Sequence, residues 1–144
     1  MKRLPVVVGI VLGTSLARAG DVSGPALDYT LNCQGCHRAD GTGTPGSVPA
    51  LAGSVAKFLR VPGGREYLPR VPGFAQAPLD DAAVARLLGW VLERFDKEDV
   101  PADFVPYTAG EIGRLRQNPL TNVEQVRREL LAAIERAPAP PAAR

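Results

Sequence analysis

Both cysteines and the single histidine of this 144-residue chain fall within five consecutive positions, Cys33-Gln34-Gly35-Cys36-His37. No other feature limits the possible fold so tightly. Apart from Met1, these are the only soft or imidazole ligands the chain offers a metal. A structural zinc site needs four ligands, and no second C-x-x-C pair or second histidine exists to complete one. A Cys33–Cys36 disulfide of the thioredoxin kind would leave His37 without a role. The βαβ pattern such a motif belongs to is also missing, since strand-like alternation is scarce throughout. Whatever these residues hold must be complete with two thiols and one imidazole from one turn of chain.

C-x-x-C-H is the attachment sequence of c-type haem. Two thiols at this spacing can add to the two vinyl groups of one porphyrin, and the adjacent histidine reaches the iron from the proximal face. One short turn thus makes three bonds to a single cofactor. A covalent tether also retains haem where an exported protein would lose it to dilution. The expected cofactor is one covalent haem c with its iron, attached through Cys33 and Cys36, with His37 as the proximal axial ligand.

Export is expected from the first residues. Lys2 and Arg3 precede an apolar run, Leu4–Leu16, and Ala17-Arg18-Ala19 fits an A-x-A cleavage site, which together make a secretory signal peptide over 1–19. The run is shorter than the roughly 20 residues a membrane-spanning helix needs; the alternative is an uncleaved anchor. The expected location is the periplasm, with no membrane span after cleavage. Removing 1–19 deletes three of the 17 basic residues and none of the 15 acids, so the remainder sits near −1 rather than +2. The sequence pI of 8.7 therefore gives no reason to expect a nucleic-acid partner. No long basic run, stacking-aromatic pattern or phosphate-cradling glycine motif supports one either.

Residues 21–37 read as a helix running into the motif, with Ser23 as cap and Pro25 at its start. Residues 38–54 are dense in Gly, Pro and small polar side chains and read as loop. A short helix is expected over 55–60. The proline-rich stretch 65–78 reads as mostly irregular, with one helical turn near 65–68. The clearest helix follows Asp80, a good N-cap, and carries Val84, Leu87, Leu88, Val91 and Leu92 on one face. Two S/T-x-x-E capping boxes, Thr108–Glu111 and Thr121–Glu124, predict two further helices, ending near Gln117 and Arg136. The apolar face of the second (Val123, Val126, Leu130, Ile134) packs back on the domain or, alternatively, docks a partner.

Around the motif the sequence resembles the class I cytochrome c family over about residues 24–95. Cys33–Gly43 looks like the family's C-x-x-C-H followed by a glycine-containing turn, and Pro49-Ala50-Leu51 is similar to its P-x-L element. The resemblance implies that the Pro49 carbonyl accepts the other N–H of His37 and that Leu51 packs on the haem. It also implies a crossing of the first and last helices, in which Tyr29 meets Trp90 while Gly89 allows close backbone approach. The implied fold class is all-α, a cytochrome c-like arrangement of short helices around one haem. A domain over 20–98 is expected, followed by a two-helix extension over 99–136 and a disordered tail over 137–144.

One family element is missing. Where a methionine normally supplies the sixth iron ligand, shortly before the last helix, this chain has Val71 in Val71-Pro72-Gly73-Phe74. An open or water-bound distal site is the leading expectation, with Lys57, Tyr67, Gln76, the new N-terminal amine or a partner's group as alternatives. Arg60, Arg65 and Arg70 are candidates to pair with the haem propionates. The implied function is one-electron transfer, with no enzyme activity beyond a weak peroxidase side reaction. Implied partners are a periplasmic dehydrogenase, an oxidase chain or another cytochrome. A ligand-binding or sensing haem protein, and a haem subunit of a dehydrogenase complex, are the rival readings.

Overall fold

The computed structural model describes residues 24–137; the expected signal peptide, the Ser23 cap and the tail beyond Ala137 lie outside the described residues. The architecture is all-α. Among the described residues the only β pairing is an isolated bridge between Thr44 and Val48.

Helix α1 (Pro25–Asn32) starts on a proline whose fixed φ suits the first turn. It does not run through to 37 as expected. Cys33 leaves the helical region at φ −128°, and the motif forms its own short helix, α2 (Gln34–His37). After a 3₁₀ turn over Ala56–Arg60 come α3 (Gly64–Arg70) and α4 (Pro72–Ala75). The stretch expected to be mostly irregular is therefore two helices. Pro72 opens α4 at the position prolines favour. Pro69, inside α3, lacks the N–H that would bond the Arg65 carbonyl, and the Tyr107 hydroxyl donates to that carbonyl instead at 2.8 Å.

The long helix α5 (Asp81–Asp96) is capped by Asp80, whose carboxylate accepts from the Ala83 N–H at 2.7 Å. Its apolar face is fully buried at Val84, Leu87, Leu88 and Leu92. α1 crosses α5 through rings: Tyr29, 1% exposed, lies 5.4 Å from Trp90 and 5.0 Å from Phe95 between centroids. The sequence gives no sign of Phe95 in this contact. Gly89 does not serve close approach, because a Cβ placed there would meet nothing within 4 Å. The aromatic rings make the crossing, and Gly89 opens onto a shallow groove beside Trp90.

Helix α6 (Ala109–Arg116) begins at Thr108, whose hydroxyl accepts from the Glu111 N–H at 3.2 Å. Glu111 does not reach back as in a full capping box. It takes two 2.7 Å bonds from Arg65, whose guanidinium lies over the Tyr107 ring. Helix α7 (Val123–Arg136) has Asn122 at its cap position with no side-chain cap bond, so the expected Thr121 box is not formed; Thr121 sits one residue too early and is exposed. Tyr107, Ile112, Leu120 and Leu130 join the same buried cluster as Tyr29 and Leu88, so residues beyond 99 and those before it share one core.

Candidate haem-binding site

Helices α1 and α2, the loop 41–51, the 3₁₀ turn, α3, α4 and α7 enclose a cleft of about 970 Å³. That is the upper end of the roughly 300–1,000 Å³ of small-molecule and cofactor sites. Cys33, Cys36 and His37 line it together with Pro49 and Leu51. Both thiols are free; Cys36 is exposed and Cys33 half-buried. Burial, with lesser contributions from Asp28 and Cys36, pushes the Cys33 thiol up to about 11. Dithiol redox motifs depress the pKa of their attacking thiol; the shift at Cys33 runs the other way.

His37 presents one nitrogen to the cleft because the other is engaged. Its Nδ1 lies 3.0 Å from the Pro49 carbonyl oxygen, which can only accept, so Nδ1 carries the proton and Nε2 keeps its lone pair. Burial lowers the imidazole pKa, and the Pro49 bond opposes that shift without cancelling it. A neutral ring with a basic Nε2 is the form that ligates iron.

The loop that brings Pro49 to His37 depends on Gly43. Its N–H donates to the His37 carbonyl at 3.1 Å, and its φ is +67°. A Cβ there would run into the carbonyl oxygens of Val48 and Pro49. The Thr44–Val48 bridge and a 2.7 Å bond from the Leu51 N–H to the Gly41 carbonyl complete the loop. On the other side of the motif, the Tyr29 hydroxyl donates to the Arg38 carbonyl at 2.6 Å, tying the end of α2 to the core.

The residues singled out for the distal side and for the propionates separate sharply. Tyr67 lines the cleft, stacked on Phe58 at 4.9 Å, with its phenol pKa raised by burial. Val71 and Phe74 line it as well. Lys57 lies outside the lining, 3.7 Å from Asp99, and Gln76 is likewise not part of it. None of the three expected propionate partners is in the lining. Arg60 pairs with Asp99, Arg65 with Glu111, and Arg70 donates to the Asn118 carbonyl at 2.8 Å. The cations that do line the cleft are Arg127 and Arg128 of α7. Sequence reasoning missed them; the available signal was a twin arginine bordering the apolar stripe of an amphipathic helix.

These residues fit haem c: two free thiols in one turn, an imidazole with Nε2 available, and an apolar cleft with two cations in its wall. No cluster of three or more His, Cys, Asp or Glu side chains among the described residues offers a rival metal site. No family model matches the chain. It is 33% identical over 141 aligned positions to a cytochrome c-552 of Thermus thermophilus, covering 84% of this chain and 90% of that protein. A second Thermus thermophilus cytochrome c-552 is 35% identical over 109 positions, covering 62% of this chain and 82% of its own length. The chain belongs to the class I c-type cytochromes. This cytochrome carries covalently bound haem c with its iron, and it is an electron-transfer protein rather than an enzyme. No described helix is long and apolar enough to cross a membrane.

Proposed function

We propose that this cytochrome is a periplasmic one-electron carrier, exported by residues 1–19, whose haem is attached through Cys33 and Cys36 and ligated by His37. Haem supplies an iron that alternates between ferric and ferrous states. The chain's residues do the rest. Pro49 orients His37 and strengthens it as a donor through the 3.0 Å bond to Nδ1. Leu51, Phe58 and Tyr67 line the cleft and would cover a bound haem with largely apolar surface. The observation that carries this reading is the meeting, in one cleft, of both free thiols and an imidazole whose Nδ1 is already committed. A domain over 20–98 that bears the haem, with 99–136 as an extension packed on it, fits the shared core. The redox partner is proposed to be a periplasmic dehydrogenase, an oxidase or another cytochrome.

Expression in a host competent for cytochrome maturation, followed by denaturation and mass measurement, tests the assignment. The mature chain gains the mass of one haem, and Cys33→Ala/Cys36→Ala loses it. A wild-type mass equal to that of the bare polypeptide refutes the reading.

A further inference from the structure

Helix α7 is held to the rest of the protein in a way its neighbour is not. Helix α6 buries Ile112 completely, receives both bonds of Arg65 at Glu111, and sends Arg116 to three carbonyls and to Asp81. Helix α7 packs its apolar face back on the core as expected, but only Leu130 is buried; Val123, Val126, Leu131, Ala133 and Ile134 are covered in part. Among the described residues its only side-chain bond is internal, Gln125 to Glu129 at 3.0 Å. Yet α7 places two guanidinium groups in the cleft wall. Arg127 is half-buried, 5.9 Å above the Phe58 ring, and Arg128 stands at the rim; neither has a hydrogen-bonding or ion-pairing partner among the described residues. Glu124 also lines the cleft, so this wall carries two positive charges and one negative. Elsewhere in the cleft lining there is no charged side chain apart from whatever charge His37 takes up.

Haem brings two carboxylates of its own. Enclosing them in an apolar cleft without counter-charge is unfavourable, and a planar guanidinium matches a carboxylate with two parallel bonds. Arg60, Arg65 and Arg70 are already engaged by Asp99, Glu111 and Asn118, and Arg38, beside the motif, is not in the cleft lining. We propose that Arg127 and Arg128 bind the two propionate carboxylates of the haem, and that this contact latches α7 across the cleft. The latch rests on the haem assignment above. It makes docking of the C-terminal helix depend on the cofactor. It also places two positive charges where they oppose oxidation of the iron.

The test compares haem-loaded wild-type protein with haem-loaded R127Q/R128Q and R127K/R128K, each checked for haem mass. Amide hydrogen exchange is followed over 123–136, with 109–116 as the internal reference, and the reduction potential is measured. In R127Q/R128Q, α7 exchanges at least tenfold faster than in wild type, while α6 is unchanged and the potential falls. R127K/R128K keeps the charge and recovers most of both. Haem present in R127Q/R128Q with α7 protection and potential both at wild-type values overturns the latch and leaves the haem assignment standing. Wild-type protein without haem mass overturns both.

Discussion

The Pro49 carbonyl cannot be removed by mutation, but the glycine that places it can be changed. Gly43 has φ +67°, and a Cβ there would meet the Val48 and Pro49 carbonyls. Gly53 has φ +63° with nothing within 4 Å of its Cβ position, and it is not among the cleft-lining residues. Alanine in the left-handed region costs about 1–2 kcal/mol at either site. Thermal midpoints move by about 4 °C per kcal/mol for a chain of this size, so Gly53→Ala should melt roughly 4–8 °C below wild type. Gly43→Ala carries the same cost and must also push the Pro49 carbonyl away, so it melts lower still. Weakening the 3.0 Å bond to His37 makes the imidazole a poorer donor. A poorer donor stabilises ferric iron less, and the reduction potential rises. Thermal melts and redox titration of the two haem-loaded variants give both numbers. If Gly43→Ala melts with Gly53→Ala and keeps the wild-type potential, the loop does not depend on Gly43 to seat the carbonyl.

Gly89→Ala should stabilise the protein by about 1 kcal/mol, the helix-propensity difference, because its Cβ enters open space; a lower melting point would put a close contact at that position after all. Ile112→Ala removes a side chain with 0% exposure and should cost about 2–5 kcal/mol in one unfolding transition, read by denaturant titration, since residues on both sides of 99 share a core. Arg65 holds the Glu111 carboxyl below its ordinary value, chiefly through their hydrogen bonds. The stabilisation is therefore full above the ordinary glutamate pKa of about 4.3 and fades as the pH falls through the lower folded value. Wild type should lose stability over that acidic window while Glu111→Gln, less stable at neutral pH, should not show that loss; parallel curves would contradict the pairing.

What can be read from the chain alone is whatever a short stretch encodes. The C-x-x-C-H turn, the Pro49-Ala50-Leu51 element, the Asp80 cap and the stripe of α5 each involve residues that meet through local spacing. Sequence reasoning fails where distant segments compete for one group. Arg60, Arg65 and Arg70 are close in sequence to the motif, which makes them propionate candidates, but Asp99, Glu111 and Asn118 claim them across some forty residues or more. Pro69 reads as a helix breaker because its rescue, the Tyr107 hydroxyl, is supplied from a segment 42 residues from Arg65. The twin arginine beside the stripe of α7 marks Arg127 and Arg128 but does not say what they face, since only the return of α7 onto the 3₁₀ turn brings them to the cleft. Gly89 misleads for a different reason: a small residue beside a tryptophan suggests tight crossing, whereas the ring of Phe95 takes that part.

The same long-range contacts decide which side chains could reach an iron held, as proposed, by His37. Gln76 sits in the segment that Arg116 pins, by bonds to the carbonyls of Ala75, Ala77 and Leu79 at 3.2, 2.7 and 2.9 Å, and it does not line the cleft. Lys57 faces Asp99 outside the lining. Met1 and His37 are the only methionine and histidine in the chain. Of the side chains proposed for that position, Tyr67 alone is in the cleft, and burial favours its neutral phenol, which donates a hydrogen bond better than it ligates. The ferrous protein should therefore bind carbon monoxide without displacing a strong protein ligand. Titration followed in the visible spectrum should saturate rapidly, and Tyr67→Phe should bind at least as readily. A low-spin spectrum that carbon monoxide leaves unchanged in both proteins would mean that the chain supplies a sixth ligand from outside the described cleft.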